Sequence, residues 1–155
     1  MHIWVDADAC PNVIKEILVR AAERARVAMT LVAGQPVQAP RSRWVTAVTV
    51  STGFDAADDA IIERMQSGDL VVTADIPLAA RAVAKDGTAL NPRGEFYSEE
   101  NIRERLAMRD LMAGLRDTGA ISGGPPPLGN IERQAFANAL DRFLAKFQQA
   151  QQREQ

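Results

Sequence analysis

Three stretches of this chain run from apolar residues straight into aspartate: Ile3-Trp4-Val5-Asp6-Ala7-Asp8, Thr52-Gly53-Phe54-Asp55-Ala56-Ala57-Asp58-Asp59 and Leu70-Val71-Val72-Thr73-Ala74-Asp75. Short apolar runs that alternate with helical spacing read as buried strands joined by helices. In a parallel sheet every strand-to-helix loop leaves from the same edge, so acids distant in sequence meet in one crevice. The pattern predicts an α/β three-layer sandwich with a largely parallel central sheet, right-handed crossovers and C-terminal helices packed on it.

The elements follow from local signals. Ile3 to Val5 reads as the first strand. Pro11 then opens a helix in which Ile14, Ile17, Leu18 and Ala21 recur at helical spacing. Val27 to Val32 and Val45 to Val50 are the next strands, joined by a long exposed loop with Pro36, Pro40 and the segment Arg41-Ser42-Arg43-Trp44. Asp55 caps a helix over Ala56 to Met65, Leu70 to Thr73 is a strand, Pro77 starts a helix through Ala84, and Thr88 to Leu90 is a fifth strand. A helix from Ser98 to about Leu115 and another from Ile131 to about Gln149 complete the chain, the second with Phe136, Leu140, Phe143 and Phe147 facing the core. Residues 1–150 are expected to form a single domain and residues 151–155 a frayed polar tail.

With 46% hydrophobic and 25% charged residues, the composition is that of a globule rather than a disordered or fibrous chain. No run of 18 apolar residues and no basic leader are present, so no membrane contact and a cytoplasmic location are expected. A single cysteine, Cys10, excludes intramolecular disulfides and thiolate metal cages, and a lone His2 excludes multi-histidine centres. The net charge of −2 gives no global attraction to nucleic acid, although Arg41, Arg43, Arg103, Arg105, Arg109 and Arg116 offer local positive charge. For the last four, a solvated helix face is the plainer reading.

Asp6 sits too early to cap the helix near Pro11 and is the foremost candidate ligand. In extended geometry Asp8, two residues on, points the same way, but Asp8 or Cys10 could equally serve as a helix cap. Asp55, Asp58 and Asp59 stand at i, i+3 and i+4 and repel one another unless something binds between them, or they simply complement the positive end of a helix. Of these, Asp55 and Asp59 are the preferred ligands and Asp58 an additional one. Asp75 precedes a proline-started helix and is read as a site residue alongside a capping role. Thr73 is either a partner of bound water or a strand residue. Hard oxygen donors without nitrogen or sulfur partners select Mg²⁺ or Mn²⁺, ions suited to stabilising charge during in-line attack on phosphate. Asp6, Asp8, Asp55, Asp59 and Asp75 are thus candidate metal ligands, and Asp6 and Asp75 the candidate catalytic pair on a phosphodiester. Cys10 at a helix start reads as a packed thiol rather than a nucleophile, and His2 as a surface residue. Ser122-Gly123-Gly124-Pro125-Pro126-Pro127 lacks the lysine of a phosphate-binding loop and reads as a linker or as a flap over the crevice.

Asp6-Ala7-Asp8-Ala9-Cys10-Pro11, Asp55-Ala56-Ala57-Asp58-Asp59, the run from Gly68 to Ala79, Asn91-Pro92-Arg93-Gly94-Glu95 and Gly123-Gly124-Pro125 together resemble the bacterial YaiI/YqxD family over nearly all of the chain up to the last helix. The family has no settled activity; its fold is similar to PIN-like domains, metal-dependent ribonucleases with acids at the ends of parallel strands. The resemblance implies that Asp6 matches the strand-one acid, Asp55 or Asp59 a middle acid and Asp75 the acid after the Thr-x-Asp strand. Asp8 stands where many such domains carry a small polar residue. Arg93 lies in a recurring motif, and its charge makes it a candidate phosphate contact. The expected function is a Mg²⁺- or Mn²⁺-dependent nuclease with RNA as partner. Two alternatives remain open: a non-catalytic, metal-stabilised module for RNA or protein, and a phosphatase with Asp6 as nucleophile. The early Pro11 leaves the phosphatase little room for its usual flap.

Overall fold

The computed structural model describes residues 1–51, 53, 55–122 and 127–153. Thr52 and Phe54 of the middle acidic motif, and residues 123–126 of the linker or flap, lie outside the described residues. The chain folds as an α/β sandwich around a six-stranded sheet: β1 (His2–Asp6), β2 (Ala28–Ala33), β3 (Val45–Thr49), β4 (Leu70–Val72), β5 (Thr88–Leu90) and β6 (Phe96–Tyr97). The spatial order is β3-β2-β1-β4-β5-β6, with β1 to β5 parallel and β6 antiparallel to β5. The helices are α1 (Asn12–Ala25), α2 (Ala56–Arg64), α3 (Ile76–Ala84), α4 (Glu99–Asp117) and α5 (Asn130–Arg153).

The period-two alternation of the strands sorts the core into layers. Ile3 and Val5 of β1, Met29 and Leu31 of β2 and Leu70 and Val72 of β4 join one cluster with Ile14 and Leu18 of α1 and Phe136 and Leu140 of α5. Trp4, Val32 and Val71 point the other way, onto Ile61 of α2 and Leu78 and Ala82 of α3. A smaller cluster at the sheet's far edge packs Ala89 and Tyr97 against Ala79 and Ile102, which seats the start of α4. From β1 the chain steps outward through β2 to β3, then returns to β4 on the other flank of β1. The direction of winding reverses between β1 and β4, and in doubly wound sheets ligands bind outside the carboxyl ends of the strands at that point.

Several boundaries differ from the expectation. Pro11 is the N-cap of α1 rather than its first residue. β6 was missed because two residues carry too little pattern to be read. α5 continues to Arg153, past the expected end near Gln149, and residues 154–155 lie outside the described residues. His2 is half-buried instead of at the surface, with its ring 4.2 Å from that of Trp4 and its Nε2 2.7 Å from Thr30 Oγ1. Among the described residues no helix is long and apolar enough to cross a membrane.

Candidate functional site

β1 and β4 are in register with Val5 opposite Val72, which brings Asp6, the last residue of β1, beside Thr73, the residue after β4. Thr73 Oγ1 donates to Asp6 Oδ2 at 2.9 Å and accepts the backbone N–H of Asp75 at 2.9 Å. Both side chains are buried, Asp6 at 6% and Thr73 at 1% exposure. Sequence left Thr73 undecided; the structure makes it the strut that fixes the Asp6 carboxylate. Asp75 is the N-cap of α3, with Oδ1 accepting from the N–H of Leu78 at 3.0 Å. The capping reading of Asp75 therefore holds for one oxygen, and its second oxygen remains for the crevice.

Asp8 departs from the extended geometry expected of it. The chain turns through a short 3₁₀ segment, Ala7–Ala9, directly after β1, which breaks the period-two relation to Asp6. Asp8 Oδ2 instead accepts the N–H of Gly34 at 2.7 Å, tying this turn to the end of β2. It caps no helix, and α1 starts without a side-chain cap. Asp55 stands before α2 with φ 61°, also without a side-chain cap bond.

Asp6, Asp8, Asp55, Asp58 and Asp75 line one cavity of about 280 Å³ at the switch point, with Gly34 and Ser51 among the rest of its wall. Its described lining contains no basic side chain. Burial raises the pKa of Asp6, the Thr73 hydrogen bond opposes the shift, and Asp75 and Asp8 add to it. Asp58 is pushed up to about 6, first by burial and then by the charges of Asp75, Asp6 and Asp55, with Arg81 working against them. Asp59, a preferred ligand on sequence grounds, faces away: it is exposed and its Oδ1 accepts from Arg81 at 2.9 Å. The i+3 acid of the α2 run, not the i+4 acid, shares the crevice with Asp55. Sequence could not separate them because both fall on the same broad helix face.

The other candidates lie elsewhere. Arg93 is 3.6 Å from Glu132 of α5 and lines a neighbouring cavity rather than the acidic one. Cys10 is buried and its thiol is pushed up to about 12, chiefly by burial, as befits a packed side chain and not a nucleophile. The Arg43 guanidinium lies 5.2 Å from the Trp44 ring. Arg105 pairs with Glu95 and Arg109 with Asp110.

Among the described residues, no three Asp, Glu, His or Cys side chains are already converged as a metal-binding group. The donor set nonetheless suits a hard divalent cation in kind and charge. Five carboxylates share one cavity, and the raised pKa of Asp58 comes first from burial and then from the charges of its acidic neighbours.

Comparison with known proteins agrees with the motifs. Residues 4–146 match the profile described as "Uncharacterized BCR, YaiI/YqxD family". A UPF0178 protein of Aromatoleum aromaticum is 62% identical over 146 residues, covering 94% of this chain and 97% of that protein. One from Thioalkalivibrio sulfidiphilus is 61% identical over 94% of this chain and 99% of its own length. Another from Hydrogenovibrio crunogenus is 58% identical over 95% and 97% respectively. No solved structure matches the chain significantly. With its profile matched over nearly the whole length and relatives this similar, the chain belongs to the uncharacterised YaiI/YqxD (UPF0178) family.

Proposed function

We propose that the chain is a metal-dependent nuclease of PIN-like design that hydrolyses phosphodiesters, with RNA as the substrate implied by the PIN-like resemblance. One observation carries the reading: three separate segments deliver Asp6, Asp8, Asp55, Asp58 and Asp75 to one cavity at the sheet's switch point. Isolated helix caps would not need to share a cavity. Asp6, Asp58 and Asp75 would hold Mg²⁺ or Mn²⁺, with Asp8 and Asp55 at the margin. When bound, the cation polarises a phosphate oxygen and acidifies water.

The protein's own groups have separable tasks. Thr73 holds the Asp6 carboxylate in one orientation through a 2.9 Å bond, so Asp6 can bind without reorganising. Asp75 is fixed by its cap bond to α3. Asp58, its pKa pushed up to about 6 first by burial and then by neighbouring carboxylates, is an acid whose charged form a bound cation would favour. Arg81 pairs with Asp59 and only partly offsets the negative charge around Asp58.

Calorimetric titration of Mn²⁺ into the protein, beside an RNA-cleavage assay, tests the reading. Wild type should bind in the micromolar range. Asp6→Asn, Asp58→Asn and Asp75→Asn should each weaken binding about tenfold or more, whereas Asp59→Asn should leave it within about twofold, as expected of an exposed ion pair. Absence of Mn²⁺ binding sinks the proposal. Binding without cleavage of RNA would leave the non-catalytic module, and trapping of a phosphate analogue on Asp6 would favour the phosphatase.

A further inference from the structure

A second cavity, of about 270 Å³, adjoins the acidic crevice and shares Ala9 with it; Ala74, between Thr73 and Asp75, also lines it. The rest of its lining is Pro11, Asn91, Pro92, Arg93, Tyr97 and Leu128. Pro11, Pro92 and Leu128 offer carbon surface and the polar groups are few, the composition of a small-ligand site. The size admits one planar heterocycle with part of a sugar and not an extended chain.

The walls are set before any ligand arrives. Asn91 Oδ1 accepts the N–H groups of Arg93 and Glu95 at 2.9 and 3.1 Å, which closes the tight turn between β5 and β6. Gly94 in that turn has φ +90°, and a Cβ there would lie 2.6 Å from the carbonyl carbon of Ala135. Only glycine lets the turn seat directly on α5. The Arg105 guanidinium, paired with Glu95, lies 5.7 Å from the Tyr97 ring. A polar anchor on an ordered aromatic wall discriminates among ligands of one shape by hydrogen bonding.

We infer that this cavity seats the nucleobase of the nucleotide adjoining the phosphate at the acidic crevice, with Tyr97 and Leu128 as specificity-determining walls and Arg93 supplying positive charge beside the strand. The ligand's identity rests on the nuclease reading; the cavity's preference for a flat, polar-edged group does not. A base so placed is unpaired, and its flat face meets the apolar side chains of the wall.

The test uses uncharged nucleosides without metal, so that neither cation binding nor cleavage enters. Adenosine, cytidine, guanosine and uridine are titrated into isotopically labelled protein, with ribose as control, and backbone amide shifts are followed by NMR. At least one nucleoside should shift the amides of Asn91, Arg93, Tyr97 and Leu128 well beyond the effect of ribose. Leu128→Ala and Tyr97→Phe, two mild substitutions, should each weaken it about fivefold, the effect of lost carbon contact or one hydrogen bond. Nucleosides that shift these amides no more than ribose, or variants that leave affinity unchanged, would overturn the inference. A phosphorothioate trinucleotide with Mg²⁺ should bind at least about tenfold more tightly than the nucleoside if the base belongs to a strand; equal affinity would overturn the strand in favour of a free nucleotide. Nucleoside binding in a protein that cleaves no RNA would support the cavity and refute the nuclease. Cleavage with no nucleoside in the cavity would do the reverse.

Discussion

Asp6→Asn is expected to slow RNA cleavage by about a thousandfold or more, since cation-assisted charge stabilisation is worth several kcal/mol, while leaving the protein at least as stable as wild type in EDTA. Asparagine keeps an oxygen for the Thr73 hydroxyl, so the strut at 2.9 Å survives. What disappears is a buried charge that the fold disfavours, because the Asp6 pKa is raised by burial and by Asp75 and Asp8. Asp58→Asn should behave likewise. A carboxyl whose pKa is higher in the folded than in the unfolded protein carries no penalty below the unfolded value near 4, and the full penalty above the folded value. For Asp58 that window runs from 3.8 to about 6. Stability of Asp58→Asn relative to wild type should therefore be nil near pH 3.5, rise across the window and level off above pH 6. With solvent screening of a partly exposed group the gain is only about 1 kcal/mol. Thermal melts in EDTA across pH 3.5 to 8 read this directly. Adding Mn²⁺ should reverse the ranking, because the cation stabilises wild type through binding linkage and the variants much less. Variants less stable than wild type at pH 7 in EDTA would mean that these acids hold the fold together, and would argue against a crevice built for a counter-ion.

The largest loss of stability is expected at the opposite end of the sheet. Asp69 is 5% exposed and accepts three N–H donors: the backbone of His2 at 2.9 Å, the Trp4 indole at 3.0 Å and the backbone of Gln66 at 2.9 Å. Asp69→Ala leaves these donors without their acceptor, and at about 1–3 kcal/mol for each buried unsatisfied group, discounted where water can enter, the cost comes to about 4 kcal/mol. Asp69→Asn keeps one acceptor oxygen and should cost about half as much. Urea denaturation followed by tryptophan fluorescence measures both, with Trp4 reporting on the site. A loss below about 1 kcal/mol for Asp69→Ala would show that the network contributes little, as exposed hydrogen bonds do.

Asp69 received no functional or structural weight from the sequence, because its importance depends on donors 65 and 67 residues away that only strand pairing brings near. The same limit applies throughout. Strands and helices were readable because periodicity is a local property, and parallel order followed from the alternation of elements. That Asp6, Asp55 and Asp75 would share one edge followed from the fold class alone. The choice of Asp58 over Asp59 did not, since it depends on how α2 is rotated against α3 and on Arg81 claiming Asp59. The turn at Ala7–Ala9 escaped notice because a three-residue segment carries too little pattern to read, and the bond from Gly34 that anchors it is long-range. The cavity around Tyr97 was likewise hidden: a two-residue β6 is too short to read, yet it carries the ring to the pocket.

The central place of β1 also shapes the order in which the molecule assembles. β2 follows β1 after one helix and can pair early, whereas β4 joins β1 across a separation of 67 residues. Loop closure of that length is slower and later. Asp75, which follows β4, meets Asp6 only when β4 docks, so its repulsion of Asp6 falls on that late closure. Interactions formed after the transition state act on the rate of unfolding. On the proposed reading, the acidic crevice would act as a latch on the lifetime of the native state, quicker to open when bare than when a cation neutralises it.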